Sequence, residues 1–312
     1  MELGAVHALE SRHVSAAVIA VVVTYNSRTH VSHLLDSLPA AFGGLPYQVV
    51  VVDNGSQDDT AGLVESRGDA HVARSVNTGF AGGINRGVAE SGLDGPVLVL
   101  NPDATLAAGA VPAMLEVLAK PGVGIVAPRM LEADGSLSPS LRRAPTLGRA
   151  GGLSFTGSPR FAERIEDPSN YEIEHEVDWA VGAVMLIRHE CFTELGGFDE
   201  SYFLYSEETD FCLRARDRGW STVFTPKAEV VHVGGGSGES SATHTMKMVN
   251  RVRIYGRRHG RLATGLYFFI AVATELRRGL LGHRHSWKAA AALIRPSLRP
   301  RELGANDTLL PR

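Results

Sequence analysis

Residues 97–105 read VLVLNPDAT, an apolar run that stops abruptly on Asn-Pro-Asp. Four successive branched aliphatic residues suit a buried strand, and open α/β sheets place their ligand sites beyond the carboxyl ends of such strands. Pro102 cannot extend a ladder, so Asp103 is left facing outward, where a carboxylate can hold a divalent cation. The plain alternative for the same residues is a strand followed by an Asx-type turn. What surrounds the motif decides between them.

The flanking chain alternates in pattern. Residues 18–24 form a β-rich apolar run, with 34–38 belonging to a following helix. Residues 48–53 form a second strand ending on Asp53-Asn54-Gly55-Ser56, a turn and helix-start signature, and 58–66 fit the next helix. Residues 70–76 make a short third strand, 85–91 a helix and 97–100 a fourth strand. Strands alternating with helices predict an α/β fold built of βαβ units around a mostly parallel sheet. Beyond it, 123–131 and 179–187 read as strands, 207–218 as a helix acidic at its start and basic later, and 221–233 as a strand. Residues 136–170 are rich in Pro, Gly, Ser and Arg and read as a mobile loop, and 234–238 as very flexible. No internal repeat is visible.

At 312 residues the chain can bury a full core, and its net charge of −3 gives no pull toward nucleic acid. Cys191 and Cys212 make neither a disulfide framework nor a zinc pattern; they read as small apolar groups in a reducing cytosol. Residues 1–14 look like a loose leader without the basic region of a secretion signal, and no apolar segment reaches the ~18 residues a spanning helix needs. The C-terminal region, 241–312, is helical in pattern. Its apolar stretch 262–274, with Tyr267, Phe268 and Phe269, lies between Arg257, Arg258 and Arg261 on one side and Arg277, Arg278, Arg284 and Lys288 on the other. That pattern suits the face of an anionic membrane, or a helix packed on the main domain with solvated basic flanks. A homo-oligomer stays open.

Five blocks carry a family resemblance: TYNS (24–27), VVDNGSQDDT (51–60), NTGFAGGINRG (77–87), LNPDA (100–104) and FLYSEETDFCLRARDRGW (203–220). In this order they resemble family 2 glycosyltransferases, most of all the bacterial rhamnosyltransferase branch, over residues 17–235. The resemblance implies a GT-A fold over 15–240, a Rossmann-like nucleotide half (15–105) joined to an acceptor half (106–240). It also implies inverting transfer from a nucleotide sugar. Given the basic C-terminus, the expected acceptor is a cell-envelope glycan or a polyprenyl-diphosphate-linked sugar, and the expected location is the cytoplasm or the inner face of the cell membrane.

The residues can be read beside it. Asp53, at a strand's carboxyl end, can accept the N3–H of a pyrimidine, with Thr24 and Asn26 completing the base pocket; otherwise Asp53 is a helix N-cap. Asn77, Gly79 and Asn85 offer amide donors and close backbone approach to a donor, or simply a flexible turn before a helix. No GxGxxG follows the first strand, which argues against a dehydrogenase. Asp103 resembles the last carboxylate of the family's DxD motif, whose first position is Asn101 here, and by resemblance His232 can be a second ligand for Mn²⁺ or Mg²⁺. In the family pattern Glu208 is the base that takes the acceptor proton, with Glu207 beside it; the alternative is acidic residues favoured at any helix start. Asp210 serves the acceptor side or pairs with Arg214. Trp179 and Gly182 shape an acceptor pocket, or Trp179 is core. Arg142 and Arg143 can clamp a diphosphate, of the donor or of a lipid-linked acceptor. The donor expected from the resemblance is dTDP-L-rhamnose, with UDP sugars as the alternative. A nucleotidyltransferase would want a Gly-rich basic loop after the first strand, where TYNSRTH offers none. A non-catalytic nucleotide-sugar binder would not need Asp103 and Glu208.

Overall fold

The computed structural model describes residues 17–151, 156, 158–234, 240–303 and 309. The leader at 1–14 and most of the glycine run at 234–238 lie outside these residues. Strand β1 (Val18–Thr24) is buried along its whole length. Val18, Ala20 and Val22 enter one core while Ile19, Val21 and Val23 enter the other, which is why the run is continuously apolar rather than alternating. After it come α1 (Val31–Phe42), β2 (Tyr47–Asp53), α2 (Thr60–Arg67), β3 (His71–Arg74), α3 (Gly79–Ser91) and β4 (Val97–Leu100). The strands β3-β2-β1-β4 pair in parallel, and β1 sets the frame, with Thr24 opposite Asp53 and Val22 opposite Leu100.

Next in the chain are β5 (Ala104–Leu106), α4 (Ala110–Leu118), β6 (Val123–Leu131), β7 (Leu141–Arg142), α5 (Leu147–Ala150), β8 (His175–Val177), β9 (Trp179–Ala180) and β10 (Val184–Ile187). They are followed by α6 (His189–Glu194), α7 (Glu207–Asp217) and β11 (Ser221–His232). The sheet continues past β4 as β10-β6-β11-β5, with β8 also on β11. Strands β10, β5 and β8 run against the other six, so the sheet is parallel at the nucleotide end and mixed at the other. Helices α1 and α4 cover one face and α3 and α7 the other.

Two expectations need correction. The strand expected over 179–187 is broken into β9 and β10, because Gly182 passes directly beneath Glu208: a Cβ there would sit 3.0 Å from that residue's Cβ. The segment 136–170 is not simply a mobile loop. Leu141, Ile165 and Tyr171 are buried with Phe224, and the Tyr171 hydroxyl accepts the Leu141 N–H at 3.0 Å and donates to the Ile165 carbonyl at 2.8 Å.

The C-terminal helices α8 (Ser241–Arg258), α9 (Arg261–Leu280) and α10 (Arg284–Ile294) pack on one another through a cluster including Val249, Tyr255, Tyr267 and Leu293. A capping box between Ser240 and Thr243 starts α8. No helix among the described residues is long and apolar enough to cross a membrane.

Candidate active site

At the carboxyl end of β2, Asp53 is buried and its carboxylate receives three local donors. Thr24 Oγ1 donates at 3.1 Å, Ser56 N at 3.1 Å, and Ser56 Oγ closes the third. Of the roughly four acceptor positions of a carboxylate, about one is left for a ligand N–H. Asp53 is not the cap of α2, which begins only at Thr60. Asn26 adopts a left-handed conformation (φ 52°), and its amide oxygen accepts the Gln57 N–H at 2.8 Å, so it ties two loops together. Tyr25 and Val76 stand exposed beyond β1 and β3, on either side of Asp53.

Two strands over, Asp103 and His232 meet with Oδ1 and Nε2 3.1 Å apart, and Asn101 Nδ2 lies 3.3 Å from the same ring nitrogen. The pairing of β11 with β5 brings them together, with His232 opposite Ala104. Burial disfavours the Asp103 charge, but the hydrogen bond and charge of His232 outweigh it and hold this carboxyl below its ordinary value. A carboxylate and an imidazole sharing one small gap suit a divalent cation, as two ligands of a set. Among the described residues no cluster of three or more His, Cys, Asp or Glu side chains could hold a metal, so the other ligands would have to come from diphosphate and water.

Helix α7 opens on Glu207 and Glu208 after two consecutive left-handed residues, Tyr205 (φ 67°) and Ser206 (φ 79°). Non-glycine residues in that region cost on the order of 1–3 kcal/mol each, and such strain gathers at functional sites. Glu208 is half-buried and lines a cavity of about 60 Å³ with Trp179, Tyr205, Lys247 and Arg251. Burial pushes its carboxyl above the ordinary value, against the pull of the Arg142 and Lys247 charges. The indole Nε1 of Trp179 donates to the Arg143 carbonyl at 3.1 Å, and the Arg142 guanidinium lies 5.8 Å from the indole centroid. Trp179 is therefore both core and cavity wall.

The structure brings Thr24 to Asp53, Asp103 and Asn101 to His232, and Trp179 and Gly182 to Glu208. Other expected residues are placed differently. A Cβ on Gly79 would lie 2.1 Å from the Phe203 carbonyl oxygen, so that glycine admits the chain leading to Glu207 rather than a ligand. Gly83 and Gly87 let α3 lie close on Val23 and Val21 of β1. Asn85 spends its amide on Phe198 and Glu200, with bonds of 2.8–2.9 Å, and fastens α3 to that loop. Asn77 accepts the Gly79 N–H at 3.0 Å at the start of α3. Asp210 is buried and bound to Arg214 at 2.6 Å, a helix-internal pair away from the cavity wall. Arg143 turns its guanidinium toward the Ala162 carbonyl, while Arg142 is the one beside Trp179 and Glu208. Glu207 is buried behind Glu208, one of its oxygens is unpartnered, and burial followed by the charge of Glu208 raises its carboxyl well above the usual range.

Sequence reasoning missed the contribution of α8. Asn250 Nδ2 donates to the carbonyls of Leu204 and Tyr205 at 3.1 and 2.9 Å, pinning the strained turn, and Lys247 and Arg251 complete the wall. The regular helical pattern of 241–258 carried no sign of which neighbour its polar residues would serve.

Comparison with known proteins shows the family and the fold. A family model described as "Glycosyltransferase like family 2" matches residues 16–256. The chain is similar to an N-acetylglucosaminyl-diphospho-decaprenol L-rhamnosyltransferase of Mycobacterium tuberculosis, 34% identical over 247 residues, covering 72% of this chain and 78% of that protein. Among solved structures it resembles GalNAc-T7 with UDP, GalNAc and Mn²⁺ (TM-score 0.62, 15% identity, 84% of this chain and 51% of that one). It also resembles the mannosyltransferase PcManGT of Pyrobaculum calidifontis with GDP-Man and Mn²⁺ (TM-score 0.54, 16% identity, 95% and 84%).

Proposed function

The chain belongs to glycosyltransferase family 2, an inverting enzyme on the GT-A fold, and from that premise we propose that it transfers L-rhamnose from dTDP-L-rhamnose to a polyprenyl-diphosphate-linked sugar. The supporting observation is the order of groups along one edge of the sheet. Asp53 ends β2, Asp103 follows β4, and Glu208 sits over Gly182 just before β10, where the next residue, Ala183, accepts the Asn101 N–H at 2.7 Å. From β2 to β10 is three strand spacings, roughly 14 Å, over which a nucleotide, a diphosphate and a sugar lie in that order.

In this reading the free acceptor position on Asp53 takes a pyrimidine N3–H. Asp103 and His232 hold Mn²⁺ or Mg²⁺, which supplies positive charge to the departing nucleoside diphosphate. Glu208 removes the proton of the acceptor hydroxyl on the face opposite the leaving group; its raised pKa makes it a stronger base than an exposed carboxylate. Transfer therefore rises with pH as that carboxyl ionises above the ordinary range. Trp179 offers an indole edge to the acceptor ring.

The C-terminal helices rest on an anionic membrane surface. On α9, Leu262 (92% exposed), Leu266, Phe269 (64%), Leu276 and Leu280 (77%) recur every three or four residues on the face away from the core, with Ala273 between them. From Arg257 to Arg299 the sequence holds nine Lys or Arg and one acid, Glu275, which is buried against His244. Wild type should float with vesicles containing phosphatidylglycerol and Leu266→Ser/Phe269→Ser should not; equal flotation would remove this contact.

The test of the reaction is transfer to a GlcNAc-diphosphate lipid, with dTDP-L-rhamnose and UDP sugars offered in parallel and Mn²⁺ present or chelated. Product from dTDP-L-rhamnose alone, lost on chelation, is expected. Turnover only with a UDP sugar would replace the donor, and full activity in chelator would remove the metal.

A further inference from the structure

Between residues 143–150 and 159–167 on one side and helices α8 and α9 on the other lies a second cavity, of about 660 Å³ against about 60 Å³ at Glu208. Five arginines line it: Arg143, Arg149, Arg164, Arg251 and Arg278. The hydrogen bonds of the Arg143 and Arg149 guanidiniums go to backbone carbonyls, of Ala162 and Ala144, and among the described residues no carboxylate forms an ion pair with either. Arg149 Nε is buried without a partner. Burial lowers the Arg149 pKa, Asp178 opposes it, and the like charge of Arg143 adds to the lowering.

The acidic residues of the lining do not fill this gap. Glu163 is bound to Arg251 and Glu275 to His244, while Glu166 and Asp167 are exposed. Phe161, Ile165 and Met248 supply apolar wall beside the cations. The Glu163–Arg251 pair lines both cavities and so forms the partition between them. Glu208 lies on one side of that pair, and Arg143 and Arg149 on the other.

We infer that the larger cavity binds the diphosphate of a prenyl-diphosphate-linked acceptor, with Arg143 and Arg149 on its oxygens and the first isoprene unit against Phe161 and Met248. Arginine forks suit non-bridging phosphate oxygens, and removing the anion's partner in a partly buried site has a large effect. This rests on the acceptor class proposed above and gives it a place. A diphosphate is also present in the nucleotide donor, so the experiment must separate the two sources.

Isothermal titration of the full chain with farnesyl diphosphate, with farnesol, and with dTDP plus Mn²⁺ does so. Wild type should bind farnesyl diphosphate and not farnesol. Arg149→Gln should weaken farnesyl diphosphate about 10–100-fold, the loss of a hydrogen bond to a charged group, and leave dTDP within about twofold. Arg164→Gln/Arg278→Gln, whose side chains are 51% and 44% exposed and can be replaced without disturbing the fold, should weaken it about 3–10-fold through lost charge at the mouth. No binding by wild type, equal binding of farnesol, unchanged affinity in both variants, or equal loss of dTDP would each overturn the assignment. Because binding is read without turnover, a failure of the proposed reaction is seen separately, in the transfer assay.

Discussion

The proposed donor end and the proposed acceptor end of this molecule are held in different ways. At the donor end, Thr24 and Asp53 are direct partners in the β1–β2 ladder, and their side chains need only the register to meet. At the acceptor end, Glu208 follows two left-handed residues held by Asn250 from α8, and its cavity is walled by Glu163, Trp179, Lys247 and Arg251 from separate segments. The first site inherits the rigidity of a buried parallel sheet. The second stores strain in one turn and relies on side chains from a later helix to keep it, so single substitutions there have more ways to act.

The largest effect should come from Glu208→Gln, which keeps the shape of the proposed acceptor end and removes the proposed base. A fall in kcat of about 10²–10⁴ is expected, with donor affinity by calorimetry within about twofold. A matching loss of donor affinity would show that the two ends are not separable. Asp103→Asn tests the opposite end: Mn²⁺-dependent donor binding should weaken about 10–100-fold while metal-free nucleotide binding is kept. Unchanged titrations with Mn²⁺ would take Asp103 out of the metal site.

Asn250→Ala addresses the strain directly. It strands the half-buried Leu204 and Tyr205 carbonyls, so chemical denaturation should show a loss of about 1–3 kcal/mol, with kcat falling more than donor affinity. Equal kcat in the destabilised variant would mean the turn holds itself. The smallest effect is expected from Glu207→Gln. A carboxyl raised on folding contributes fully below its unfolded value, and the contribution is lost as pH rises through the folded one. The variant should therefore melt like wild type near pH 4 and higher near pH 8, by about 2–4 °C for each kcal/mol recovered. A uniform shift at both pH values would assign the effect to packing.

The sequence exposes the donor end because each strand there carries its own signal. Residues 18–23, 49–52 and 97–100 are apolar throughout, being buried on both faces, and each run leads directly into a polar residue at the edge of the proposed site. The helix start at 207 was legible for the same reason, with acids first and bases later. Glycines were less legible: NTGFAGGIN suits a ligand loop, yet Gly79, Gly83 and Gly87 are spaced for Phe203, Val23 and Val21. The run 179–187 hid its break, since nothing local announces that Glu208 will cross Gly182.

By itself the sequence determined the parallel half of the sheet, its direction and the carboxylates at its edge, because burial on two faces is written into neighbouring side chains. Only the tertiary structure decided that Asn250 would hold the strained turn, that Lys247 and Arg251 would face Glu208, and that five scattered arginines would share one cavity. The physical reason is that a missing Cβ or an unpaired amide records a need for a neighbour without saying which. At Gly79 that neighbour is Phe203, on a segment that only the packed fold brings near.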